Sequence, residues 1–176
     1  TVDLPGPAVR QWRALIACRQ RLVVKRVAVQ NRLRALLVGQ GLAAPCGASA
    51  WSERGLAHFR GLSAPLEGCV AEDCWRGMLT LALAEYAHLQ GAIQATEARL
   101  DAAAAGHPSV ALLTSIPGVG VRTAEAVVAF LGDPSRFASG KEVGAYAGLV
   151  PRQYQSGETD RRGRITKRGP SLLRKL

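Results

Sequence analysis

Apolar residues recur at seven-residue intervals along two long stretches of the chain. Between residues 8 and 40, Leu15, Leu22, Val29 and Leu36 keep this spacing, and Ile16, Val23 and Leu37 widen the stripe. Such a repeat turns one helix face toward a partner helix, so it predicts a long coiled-coil-like helix ended by Gly39 and Gly41. Between 69 and 105 the spacing returns in Leu79, Tyr86, Ile93 and Leu100, with Leu83 and Leu89 beside them. The connector "GLAAPCGASAWSERGLAHFRGLSAPLEG" is punctuated by Gly and Pro and leaves room for a short helix around 51–60. The two long helices can fold back as an antiparallel hairpin or pair with a second copy of the chain. Gly106 and Pro108 mark the stop after the second helix.

From Val110 the segments become short and glycine-punctuated. "ALLTSIPGVGVRTAEAVVAFLG" predicts a short helix, a tight turn and a second helix with Ala124, Val127, Val128 and Leu131 inward and Gly132 at its end. Asp133-Pro134 offers a cap with proline at the first helical position. Ser139 and Glu142 read as a capping box for a helix that carries Val143, Tyr146 and Ala147 inward and stops at Gly148. Two extended arms around a polar turn follow, then a helix start at Gly169-Pro170 that runs to Leu176, as expected of a sequence cut there. The fold class is mainly α: a long helical coiled-coil region, then a small helix-hairpin-helix α domain with a short β-hairpin-like arm. The organisation reads as 1–45, a basic long helix; 46–107, connector and second long helix; and 108–176, a C-terminal domain.

Charge narrows the partners. The net charge is +10 and the pI about 10.3, which favours a polyanion. Only Asp3 offsets the arginines of the first helix, whose basic face is either solvated or in contact with nucleic acid. No apolar run approaches the roughly 20 residues of a spanning helix, and no secretory signal core is present, so no membrane partner is expected. Cys18, Cys46, Cys69 and Cys74 form no C-x-x-C pair and the three histidines are scattered. Reduced thiols and no metal site in this chain are the reading.

Two elements could carry chemistry. "SIPGVGVRTAEAVV" has the helix-hairpin-helix pattern, in which Gly118 and Gly120 let backbone N–H groups approach a phosphate. The alternative is a tight turn used only for packing. Arg161, Arg162, Arg164, Lys167 and Arg168, with Arg152 upstream and Arg174 and Lys175 downstream, form a cationic run. On an extended arm, strict alternation puts Arg162 with Arg164 on one face and Arg161 with Lys167 on the other. Ser156 stands in this run as "QYQSGE", with no histidine to form a hydrolase triad. It is either a turn residue of an ordinary Ser-Gly pair or a serine presented to a phosphate among guanidinium groups.

The run from "LLTSIPGVG" through "GLVPRQYQSGE" and "GRITKRGPSLLRKL" resembles the C-terminal transposase domain of the bridge-RNA-guided insertion-sequence recombinases, the IS110 family and its IS1111-like subgroup. Residues 9–41 resemble the basic coiled-coil segment of the same family, and the match is weakest in 42–75. The resemblance implies a DNA transposase/recombinase that cuts and rejoins DNA through a serine, here Ser156, which becomes covalently linked to DNA. Ser171, at a position the family fills variously, reads as helix-start structure. The resemblance also implies a RuvC-like domain whose acids bind Mg²⁺. Nothing in residues 1–176 matches that domain, so this stretch alone is expected to be inactive. A structured guide (bridge) RNA, self-association into a dimer or tetramer, and a bacterial cytoplasmic, nucleoid-associated location are implied in the same way. The alternatives are a non-catalytic helix-hairpin-helix module that binds DNA or RNA, and a structural protein whose charges only solvate it.

Overall fold

A computed structural model describes residues 4–175, so Asp3 and Leu176 lie outside the described residues. The described residues are mainly helical with one two-stranded antiparallel sheet, as the sequence predicts. It divides into two compact units, Cys18–Arg99 and the pairing of Thr1–Ala17 with Leu100–Leu176. Helices α1 (Pro7–Val38) and α3 (Cys74–Ala104) each contribute residues to both.

Within Cys18–Arg99, α3 buries Trp75, Leu79, Ala82, Tyr86, Leu89 and Ile93. The steps alternate between four and three, which is the seam of a coiled coil. From α1, Val29, Leu33 and Leu37 are fully buried and Leu22 and Leu36 are half-buried. The buried line steps by four here and takes in Leu33, which the seven-residue stripe omits. A third element explains the drift: α2 (Glu53–Leu62) places Phe59 in the same core. Trp51 stacks between Phe59 and Tyr86, at 5.8 and 5.5 Å.

Polar bonds fix the pairing. Arg19 donates to Glu97 at 2.6 and 2.9 Å, Arg26 to Gln90 at 3.2 Å, and Arg32 to Glu85 at 2.8 Å. Partner numbers fall as α1 numbers rise, so the helices run antiparallel. These acids also correct the charge reading, because Glu97 and Glu85 offset arginines that Asp3 alone was counted against. Arg34 is occupied as well, donating to the carbonyls of Pro45 and Gly47 with its guanidinium over Trp51.

The other unit holds α4 (Pro108–Thr114), α5 (Val121–Leu131), α6 (Gly140–Ala147), β1 (Pro151–Ser156) and β2 (Thr159–Ile165). Its core groups Ile16, Leu100, Ala126 and Ala129, and beside them Ala104, Val110 and Ala124. The predicted inward face of α5 is therefore rotated. Ala124, Glu125, Ala126 and Ala129 are buried, while Val127, Val128 and Leu131 are half-buried. Small side chains let the neighbouring helices approach closely. The Glu125 carboxylate, 1% exposed, receives Arg122 at 3.0 Å on both oxygens, and Arg122 also pairs with Asp101. Arg13 donates to the carbonyls of Ala129 and Phe130 at 2.7 and 3.3 Å, capping a helix end with no basic residue of its own.

Two local expectations need correction. Ser139 is the N-cap of α6 but its hydroxyl makes no capping bond. Glu142 reaches past it and accepts from the Ala138 amide at 2.9 Å. The expected C-terminal helix is a turn over residues 171–174, so Ser171 starts no helix. There Arg174 donates to the carbonyls of Ala147 and Gly169, both at 3.0 Å, which binds it to the end of α6. By contrast, Asp133 caps as predicted, accepting from the Ser135 amide at 2.9 Å. Its bonds from the Ser135 hydroxyl and amide hold its carboxyl below the usual range.

Candidate nucleic-acid interface

Strands β1 and β2 form a hairpin whose every residue is exposed. Gly157 and Glu158 make the two-residue turn. Gly157 has φ 56° and Glu158 is not in the positive-φ region, the pattern of a type II′ hairpin turn with glycine first. Ser156 is therefore the last residue of a strand, paired with Thr159, and not a central turn residue. Its hydroxyl makes no hydrogen bond among the described residues.

The pairing decides which cations it faces. Ser156 pairs with Thr159, Gln155 with Asp160, Tyr154 with Arg161 and Gln153 with Arg162, but Pro151 pairs with Ile165. Two residues, Gly163 and Arg164, thus oppose the single residue Arg152, and β2 carries a bulge. Paired residues share a face and neighbours alternate. One face then holds Arg152, Tyr154, Ser156, Arg161 and Arg164. The other holds Gln153, Gln155, Asp160 and Arg162. This overturns the grouping by strict alternation: Arg164 leaves Arg162 and joins Arg161 on the serine face. Gly163 confirms the side, since a Cβ there would lie 3.0 Å from Tyr154 Cε2 and 3.6 Å from Arg152 Cβ.

Six cationic and two acidic side chains lie between residues 151 and 168, which leaves the arm a net cation. Arg161, Arg162, Arg164, Lys167 and Arg168 make no side-chain hydrogen bond or ion pair among the described residues. Arg152 is partly folded back, donating to the Thr166 carbonyl at 3.5 Å. Beyond β2, Lys167 has φ 55° and gives its amide to the Gly148 carbonyl at 3.0 Å. Lys167 is thus part of the chain reversal and on neither strand face. Arg174, grouped with the cationic run in the sequence, is spent on backbone carbonyls.

The base of the arm is clamped by two glycines. A Cβ on Gly148 would be driven into the backbone of Arg168, and one on Gly169 into the Tyr146 carbonyl oxygen. Both also have positive φ, 73° and 110°. This close approach ties the "GLVPRQYQSGE" and "GRITKRG" blocks together.

Gly118 and Gly120 lie on the α4–α5 connection, which no hydrogen bond or ion pair joins to the hairpin among the described residues. The Val119 amide bonds the Ile116 carbonyl at 3.0 Å around Pro117-Gly118. Gly118 has φ 88°, so this is a type II turn with proline then glycine. Gly120, the N-cap of α5, has an ordinary φ of −80°. No atom lies within 4 Å of a Cβ at either glycine. The start of α5 has no side-chain cap and no acid in its first turn. Arg122 in that turn is already held by Asp101 and Glu125. Gly118→Ala is expected to cost about 1–2 kcal/mol from left-handed strain alone, read as a fall in thermal midpoint, while Gly120→Ala costs a few tenths.

The sequence reading missed Tyr154, whose signal is an aromatic in an otherwise polar alternating strand. No group of three or more His, Cys, Asp or Glu is arranged to hold a metal among the described residues. Of the acids near Ser156, Glu158 is in the turn and Asp160 is on the opposite face, so the hairpin does not form a Mg²⁺ cage. No described helix is long and apolar enough to cross a membrane.

Residues 110–176 match the model of the Transposase IS116/IS110/IS902 family. The chain is 34% identical over 173 residues to the transposase for insertion sequence element IS1111A of Coxiella burnetii, covering 97% of this chain and 46% of that protein. It is 32% identical over 163 residues to the transposase for IS1328 of Yersinia enterocolitica, covering 93% and 46%. A pilin gene-inverting protein of Moraxella bovis is 48% identical over 46 residues, 26% of this chain and 14% of that one. The chain spans about half the length of the transposases it matches.

Proposed function

Because residues 110–176 carry an IS110/IS116-family transposase domain homologous to the IS1111 transposases, we propose that this chain is part of a DNA transposase/recombinase in which Ser156 attacks a phosphodiester. The carrying observation is the placement of Ser156, at the exposed end of a strand and on the face that holds Arg152, Arg161 and Arg164. As the Oγ–phosphorus bond forms, one P–O ester bond breaks and the strand end leaves as a free hydroxyl, which takes up a proton equivalent to the one the serine loses. Rejoining reverses the exchange, so the number of diester bonds is conserved. Guanidinium groups on the same face stabilise the charge that develops on the phosphate. Among the described residues, no base is hydrogen-bonded to the serine. The acids that bind Mg²⁺, and the activation they support, belong outside residues 1–176, and this stretch alone is inactive. The pilin-inverting relative supports the rejoining half of the reading, since inversion is recombination.

Partners follow from the same reading. DNA meets the hairpin, and the open start of α5 behind Gly118 and Gly120 takes a second phosphate without base preference, as a helix-hairpin-helix would. Arg162, Lys167 and Arg168 add backbone contacts. A structured guide RNA lies along exposed cations of α1 such as Arg21 and Lys25. The protein works as a dimer or tetramer in the bacterial cytoplasm, at the nucleoid.

Incubating the full-length protein with substrate DNA, followed by denaturing electrophoresis, tests the reading. A covalent protein–DNA species is expected, and tight binding without one favours the non-catalytic binding module. Arg161→Ala and Arg164→Ala should each lower the slope of log affinity against log salt by about 1, measured by fluorescence anisotropy. Unchanged slopes would remove the serine-face cations from the interface.

A further inference from the structure

We propose that Tyr154 is a positioning residue that stacks on an unpaired nucleobase of the DNA strand whose phosphate is held beside Ser156. The inference rests on reading the serine face as a DNA-joining site and specifies the form in which that face receives its substrate. Tyr154 is 57% exposed, whereas Tyr86 is 7% exposed and Tyr146 gives its hydroxyl to the Phe130 carbonyl. Among the described residues, the Tyr154 ring is in no ring–ring or cation–π pair and its hydroxyl in no hydrogen bond. Its partner across the ladder is Arg161, and Arg152 is its neighbour on the same face.

Gly163 is the second observation. The ring edge lies over bare glycine backbone, close enough that a Cβ there would stand 3.0 Å from Cε2. The bulge therefore provides a bed that seats the ring while leaving it open to solvent. A flat π surface between two guanidinium groups fits a flat aromatic ligand that carries its own negative charge. A nucleotide has both parts. Side chains two apart on a strand stand about 7 Å from each other, comparable to the span from a phosphate to its own base. Bases inside a duplex are covered by their neighbours, so the base that stacks here is unpaired.

The test uses the full-length protein and a single-stranded DNA with a fluorescent adenine analogue whose emission is quenched by stacking. Wild type and Tyr154→Phe should quench it equally. Tyr154→Ala, and Tyr154→Leu which fills similar space without a π face, should lose the quenching and bind roughly 5- to 100-fold more weakly. Their salt slopes should match wild type. With an abasic site at the responding position, all four proteins should bind alike. Quenching that survives in the alanine and leucine variants overturns the proposal, as does an affinity loss that is the same on abasic DNA. The nucleophile reading fails separately, through a covalent adduct that does not depend on Ser156.

Discussion

If Ser156 is the nucleophile proposed above, replacing it by alanine in the full-length protein is expected to abolish a covalent protein–DNA adduct and recombination while leaving DNA affinity nearly unchanged. Loss of a nucleophile costs roughly 10⁴-fold or more in rate. Affinity should survive because Ser156 is exposed, its hydroxyl makes no hydrogen bond among the described residues, and the neighbouring guanidinium groups remain. Neither hairpin pairing nor the II′ turn needs the hydroxyl, since Gly157 supplies the positive φ. Denaturing gels and anisotropy on the same two proteins separate the outcomes. An adduct that persists in Ser156→Ala moves the nucleophile to another residue. A large fall in affinity instead makes Ser156 a contact residue.

Gly148→Ala should be the most damaging single methyl in the arm. The added carbon enters the Arg168 backbone at a residue whose φ of 73° already disfavours a side chain. Strain alone costs about 1–2 kcal/mol. Parting two backbones that share the Lys167–Gly148 bond brings the total to about 3 kcal/mol or more, against the 5–15 kcal/mol that holds a typical domain. Gly169→Ala, against the Tyr146 carbonyl, should behave the same way. Gly144→Ala is the control: it lies inside α6 with nothing within 4 Å of its Cβ. That change should raise stability by about 0.5–1 kcal/mol. Calorimetry of the three variants checks the order. If Gly148→Ala and Gly144→Ala melt alike, the clamp is not what holds the arm.

How legible each element was depended on how many neighbours it has. The α3 repeat at Leu79, Tyr86, Ile93 and Leu100 is buried at every position, so its seven-residue spacing was readable as it stands. The seam of α1 was less readable near Leu33, where α2 adds a third body. On α5 the sequence picked out Ala124 but missed the buried Ala126 and Ala129, because small side chains contribute little to an apolar pattern. In the hairpin, both faces are polar, so no hydrophobic alternation pins the register. The bulge at Gly163-Arg164 was invisible in sequence for that reason, and with it the true set of cations around Ser156. The capping roles of Arg13 and Arg174 were hidden by distance along the chain. Ser156 was singled out through its surrounding motif alone, since its strand-end position has no signature of its own.

The ladder of bonds from α1 to α3 has one more implication. Arg19, Arg26 and Arg32 meet Glu97, Gln90 and Glu85 at steps of seven and six on one helix and seven and five on the other. These bonds flank the buried α3 seam, whose steps of four and three repeat every seven residues, so the pair stays in register by heptads. A lengthening of seven residues in one helix stays in phase only if the other grows by seven as well, and each such pair of insertions extends the stem by about 10 Å. An insertion of one or two residues in a single helix would instead rotate the apolar face beyond it and break the register of the polar pairs on one side of it. The stem can therefore change length only in matched steps, and this constrains its length far more tightly than its surface residues.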